Sequence, residues 1–66
     1  MTKYFIALYE PSKPFCYDLR SNSFLPYYPA RNRTVYNYET ARAVLKRARR
    51  LNPDKRDNIT LDCMTV

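Results

Sequence analysis

Apolar and polar positions change their period along this chain, and the changes mark its elements. From Lys3 to Glu10, KYFIALYE, apolar side chains occupy both parities, with Tyr4, Ile6 and Leu8 on one and Phe5, Ala7 and Tyr9 on the other. The run is aromatic and β-branched and contains neither Gly nor Pro, so it predicts a strand, placed centrally because both its faces are apolar. Its aromatic side reads as ordinary sheet packing, with an exposed platform for bases or a partner as the alternative. Pro11-Ser12-Lys13-Pro14 breaks the strand, since proline fixes φ and restricts the residue before it. Alternation then returns: Phe15, Tyr17 and Leu19 share one parity and Cys16, Asp18 and Arg20 the other, a second strand over 15–20 with one buried side and Cys16 facing away from it. Ser21-Asn22-Ser23 predicts a tight turn with Asn22 in the left-handed region. Phe24 to Tyr28 forms a third strand, which Pro26 confines to a sheet edge or a bulge.

The period lengthens at Asn37. In NYETARAVLKRARRLNP, at roughly 100° per residue, Ala41, Val44, Leu45, Ala48 and Leu51 fall on one side with Tyr38 at its margin. Arg42, Lys46, Arg47, Arg49 and Arg50 fall on the other. Asn37 is the predicted N-cap, Glu39 complements the positive end of the helix dipole and pairs with Arg42 one turn on, and the late arginines suit the negative end. Pro53 stops the helix near Leu51 or Asn52. Residues 29–36, PARNRTVY, form a basic connection into it, anchored by Val35 or Tyr36, with Arg31 and Arg33 alternating toward one surface.

After a polar turn over 52–58, residues 58–66 alternate as a last strand. Ile59, Leu61 and Cys63 are expected beneath the helix, and Thr60, Asp62 and Met64 on the other face. The fold class that follows is α+β: a single domain over 1–66 in which one helix packs on a small three- to four-stranded, mainly antiparallel sheet, in the order β-β-β-α-β. A crossover through the helix predicts the strand order 3-2-1-4, with the last strand parallel to the first.

Length limits what this layout can bury. A chain of 66 residues buries only about 60% of the surface its unfolded form exposes, so a second core is not expected, and a small surplus of stability leaves room for assistance from a partner, including a homodimer. Twelve Lys or Arg stand against six Asp or Glu, a net charge of +6. The excess is concentrated: residues 31–56 hold nine of the basic residues and, as acids, only Glu39 and Asp54. Such a patch attracts nucleic acid or an acidic protein surface, or else is a solvated face that keeps a small protein in solution.

The chemistry available excludes more than it offers. Histidine and glycine are both absent, which removes the commonest general base and metal ligand and any Gly-rich phosphate loop. Cys16 and Cys63 have no zinc-site spacing, and no motif fixes a distance between Asp18 and Asp62. No enzyme activity, catalytic residue, metal or cofactor is expected. No apolar run approaches the roughly 20 residues of a bilayer span, and the start of the chain lacks a secretory pattern. The expected location is therefore cytoplasmic, with reduced thiols and no membrane partner.

A binding role remains. In one mode Arg42, Lys46, Arg47, Arg49 and Arg50 contact phosphates, Arg31 and Arg33 extend the track, and Tyr27, Tyr28 or Tyr36 stacks on unpaired bases. In the other, the same arginines and tyrosines anchor a protein interface, where these residue types are enriched. The whole-chain pattern of strand, hairpin, YETARAVLKRARRLNPD and short terminal strand resembles the small α+β accessory proteins of phages and other mobile elements, some of which are anti-CRISPR or other host-factor inhibitors. That resemblance implies a non-enzymatic binder of host nucleic-acid machinery, acting in the host cytoplasm. The expected partner is nucleic acid or a nucleoprotein; the alternatives are an acidic host protein or a second copy forming a structural homodimer.

Overall fold

The computed structural model describes residues 1–10, 13–29 and 33–65. Its four strands are β1 (Thr2–Glu10), β2 (Lys13–Asp18), β3 (Ser23–Pro26) and β4 (Ile59–Thr65), and its long helix is α1 (Tyr38–Leu51), followed by a 3-10 helix over Pro53–Asn58. The sheet has the order β3-β2-β1-β4. β1 is central, as its two apolar faces require, and β3, which ends on Pro26, is at an edge. In register, Leu8 lies between Phe15 and Ile59, Ile6 faces Leu61, and Tyr17 faces Phe24. Asn22 makes the β2–β3 turn with φ 53°, a left-handed conformation that asparagine tolerates. β2 and β3 are each shorter at their C-terminal ends than alternation suggests, and Pro11 and Ser12 of the first expected turn lie outside the described residues.

One expectation of topology is corrected. β4 runs antiparallel to β1, not parallel. The reason is the connection before α1. β3 ends at Pro26, opposite Phe15 at the C-terminal end of β1, while Tyr36 pairs with Tyr4 near its N-terminal end. Tyr4 and Tyr36 exchange both backbone bonds, at 2.9 and 2.7 Å. Pro26 and Tyr36 thus lie toward opposite ends of β1, so α1 starts near the N-terminal end of β1 and runs with it, and β4 returns against it.

α1 starts where the capping argument places it. Asn37 has extended backbone, and its Oδ1 accepts the Thr40 amide at 2.8 Å. Asn52 closes the other end, its amide donating to the Arg49 carbonyl and its side chain to the Ala48 carbonyl. The predicted Glu39–Arg42 ion pair is not formed; Arg42 lies 5.8 Å from the Tyr38 ring instead, and among the described residues the ion pair is Lys55–Glu10 at 3.5 Å.

The main core lies between helix and sheet: Ile6, Leu8, Tyr17, Tyr36, Ala41, Val44, Ala48 and Ile59, with Tyr4, Phe15, Phe24, Leu45 and Leu61 around it. Burying one Leu or Ile side chain contributes about 1.5–3 kcal/mol, so this side supplies most of the fold's stability. Although a chain this short was not expected to hold a second core, a smaller cluster occupies the other face, in line with the packing expected of the aromatic side of β1: Phe5, Ala7 and Cys16 are buried, with Tyr27 and Met64 packed against them. Tyr27 enters it because its amide extends the β2–β3 pairing by bonding the Pro14 carbonyl, which leaves its ring 5.8 Å from Phe5. Cys16 thus points away from the helix and is still fully buried, whereas Cys63, expected in the core, is exposed. Leu51, the last residue of α1, is also exposed.

Candidate nucleic-acid interface

Five cations on α1 were expected to act together, and their surroundings divide them. Arg42, Lys46 and Arg50 are four residues apart, so they form one exposed row along the helix. Like charges at this spacing repel by a few tenths of a kcal/mol per pair. Glu39 is the acid at the head of the row, with small, exposed Ala43 beside it leaving room for close approach. Arg49 is different: its Nε and Nη2 both donate to the Ile59 carbonyl, at 3.1 and 2.9 Å, tying the helix to the start of β4. Arg47 donates through Nε to Asn22 Oδ1 at 3.1 Å, the same oxygen that accepts the Tyr17 hydroxyl at 2.8 Å. It braces the left-handed turn against the helix.

At the C-terminal end of α1 the 3-10 helix folds back and brings Arg56 to the row. Lys46, Arg49, Arg50, Pro53 and Arg56 line an open groove of about 490 Å³. Arg56 lines this groove and is not among the residues expected there from the sequence. The turn over 52–58 carried no periodicity to give it a direction, although the Lys55-Arg56 pair just after Pro53-Asp54 was a visible signal.

The tyrosines are placed elsewhere. Tyr36 is 9% exposed and packs in the main core, so it is withdrawn as a base-stacking residue. Burial pushes its hydroxyl above the usual tyrosine range, with the charge of Asp18 adding to the effect. Tyr27 and Tyr28 meet edge to face at 4.9 Å, and the Arg33 guanidinium lies 4.5 Å from the Tyr27 ring and 5.9 Å from that of Tyr28. A cation over an aromatic face contributes about 0.5–2 kcal/mol, so Arg33 is engaged in closing the second cluster. Because Tyr27 belongs to that cluster and α1 to the main core, the sheet separates these three residues from the helix cations. A continuous helix-and-loop surface is therefore not formed by them. Arg31 lies outside the described residues.

Comparison with known protein families, curated proteins and solved structures finds no match. Among the described residues no three His, Cys, Asp or Glu side chains converge to hold a metal ion, and no helix is long and apolar enough to cross a membrane. The carboxylates have local tasks. Asp18 accepts the Ser21 hydroxyl at 2.8 Å and amide at 3.2 Å, bonds that favour its charged form and hold its carboxyl below the ordinary range. Asp62 accepts the hydroxyls of Tyr9 and Thr60.

Proposed function

We propose that this chain is a non-enzymatic binding protein whose helix row Arg42, Lys46 and Arg50, continued by Arg56, contacts the phosphate backbone of a nucleic acid, free or within a nucleoprotein. The observation that carries this reading is the division of the cations. Arg47 and Arg49 are held by Asn22 and Ile59, while the row is exposed and makes no ion pair among the described residues. A self-repelling row on a marginal fold has a cost that an anionic ligand removes. With Tyr36 buried and Tyr27 on the far face, contact is to the backbone and not to stacked bases, which favours binding with little sequence preference.

Titration of duplex and single-stranded DNA and RNA over a range of salt concentrations tests the reading. Four cations releasing counterions from a duplex give a slope of log K against log salt of about −3 to −4. An Arg42→Glu/Lys46→Glu/Arg50→Glu variant that retains its circular dichroism should lose binding at all salts. Absence of binding by the wild type at low salt would sink the proposal. A second reading is favoured by one contact, the Arg42 guanidinium 5.8 Å from the half-exposed Tyr38 ring, since Arg and Tyr are enriched at protein hot spots. In that case the same face binds an acidic protein, as a phage-type host-factor inhibitor would, and the triple variant loses a protein partner while free nucleic acid is ignored.

A further inference from the structure

The two sheet edges are built differently. β3 is four residues long and ends on Pro26, the kind of short, proline-marked edge that discourages pairing with another chain. β4 is seven residues, ITLDCMT, with no proline or lysine, and among the described residues no strand lies along its outer side.

Its free backbone groups can be identified. Tyr4 directs both its N–H and its C=O to Tyr36, away from β4. Because these directions alternate along an antiparallel strand, Lys3, Phe5 and Ala7 point toward β4, and their partners Met64, Asp62 and Thr60 point back at β1. Ile59, Leu61, Cys63 and Thr65 therefore direct their amides and carbonyls outward. Ile59 is already satisfied, its carbonyl by Arg49 and its amide by the Arg56 carbonyl. That carbonyl bond fits the outward assignment and leaves Leu61, Cys63 and Thr65 open.

We infer that a second copy of this chain pairs with β4 about a two-fold axis at Cys63, making one continuous eight-stranded sheet from two four-stranded ones. An antiparallel edge is complementary to itself under such an axis, and four nearby registers centre on Leu61, Asp62, Cys63 or Met64, of which the last pairs Cys63 with Thr65 but leaves Leu61 without a partner among the described residues. An axis at Leu61 sets Cys63 against Ile59 of the second copy, whose carbonyl Arg49 occupies. An axis at Asp62 sets two carboxylates directly opposite each other, which is destabilising. The axis at Cys63 pairs Leu61 with Thr65 and Cys63 with Cys63, uses every open group, and places Asp62 opposite Met64. Directly opposed residues share a face, so both helices lie on one side of the joined sheet. Each copy carries +6, and screening this repulsion makes association stronger as salt rises.

The dimer does not rest on the nucleic-acid reading, and its test leaves the helix row intact. Sedimentation equilibrium of the wild type should give a monomer–dimer equilibrium that shifts toward dimer with added salt. Cys63→Pro removes only an outward amide, and Cys63→Lys opposes two charges on the axis; each should be monomeric with unchanged circular dichroism. Hydrogen-bonded partners lie about 5.5 Å apart at Cα, inside the disulfide range of about 4.4–6.8 Å. Added copper phenanthroline in air, taking two electrons as two protons leave, should then link the wild type and Cys16→Ser as dimers but not Cys63→Ser. A wild type that is monomeric at every accessible concentration and salt overturns the inference. So does a dimer that survives Cys63→Pro or fails to cross-link through Cys63.

Discussion

The thiols occupy opposite environments. Cys16 is sealed beside Phe5 and Ala7, its Sγ 3.6 Å from the Leu25 carbonyl, and burial pushes the thiol above its ordinary range. Cys63 is exposed. Because the thiolate is the reactive form, maleimide at low protein concentration should modify Cys63 in the native protein and Cys16 only on unfolding, read by peptide mass; equal rates would contradict the burial. Tyr9 provides a pH test. Its hydroxyl donates to Asp62, and this bond, then burial, then the negative charge push its pKa from 10.0 up to about 12. The folded state thus keeps a proton that the unfolded state releases, so the associated stability is present below about pH 10 and is lost as pH rises toward 12. Urea unfolding should show a steeper alkaline loss for wild type than for Tyr9→Phe. Matching slopes would remove Tyr9 from the explanation.

At the scale of elements, α1 separates residues that hold the fold from residues free to bind. Asn37→Ala removes the oxygen that accepts the Thr40 amide and should cost about 1 kcal/mol, or about 4–8 °C in Tm for a domain of this size. Arg49→Ala removes the two hydrogen bonds donated to the Ile59 carbonyl. Hydrogen bonds to charged groups contribute about 1.5–3 kcal/mol, whereas surface substitutions usually stay within about 0.5 kcal/mol. Thermal melts should therefore rank Arg49→Ala well below Arg50→Ala in stability, with nucleic-acid affinity falling in the Arg50 variant. A reversed order would exchange their assigned roles. The cap, the stop and the buried Ala41, Val44 and Ala48 were all readable from helical period. The division of labour among the arginines was not, because periodicity assigns a face and does not say which acceptor stands opposite it.

For the whole molecule, salt separates the two proposed associations: it should weaken nucleic-acid binding by competing at phosphates and strengthen pairing of the copies by screening +6 against +6. Sedimentation and titration on the same samples check both trends. The residue pattern by itself determined the four strands, the central position of β1, the edge position of β3 and the capped basic helix, since each follows from local period, proline or an N-cap. Only the tertiary structure decided the direction of β4, the second cluster and the splitting of the candidate surface. The first follows from where the connection ends, with Tyr36 paired to Tyr4, and the other two from Tyr27 and Arg33 lying on the far face while Arg47 and Arg49 are taken up by Asn22 and Ile59. Alternation specifies which side chains share a face of a strand, but a connection without periodicity carries no such rule, so the residue pattern does not say at which end of the sheet the helix begins.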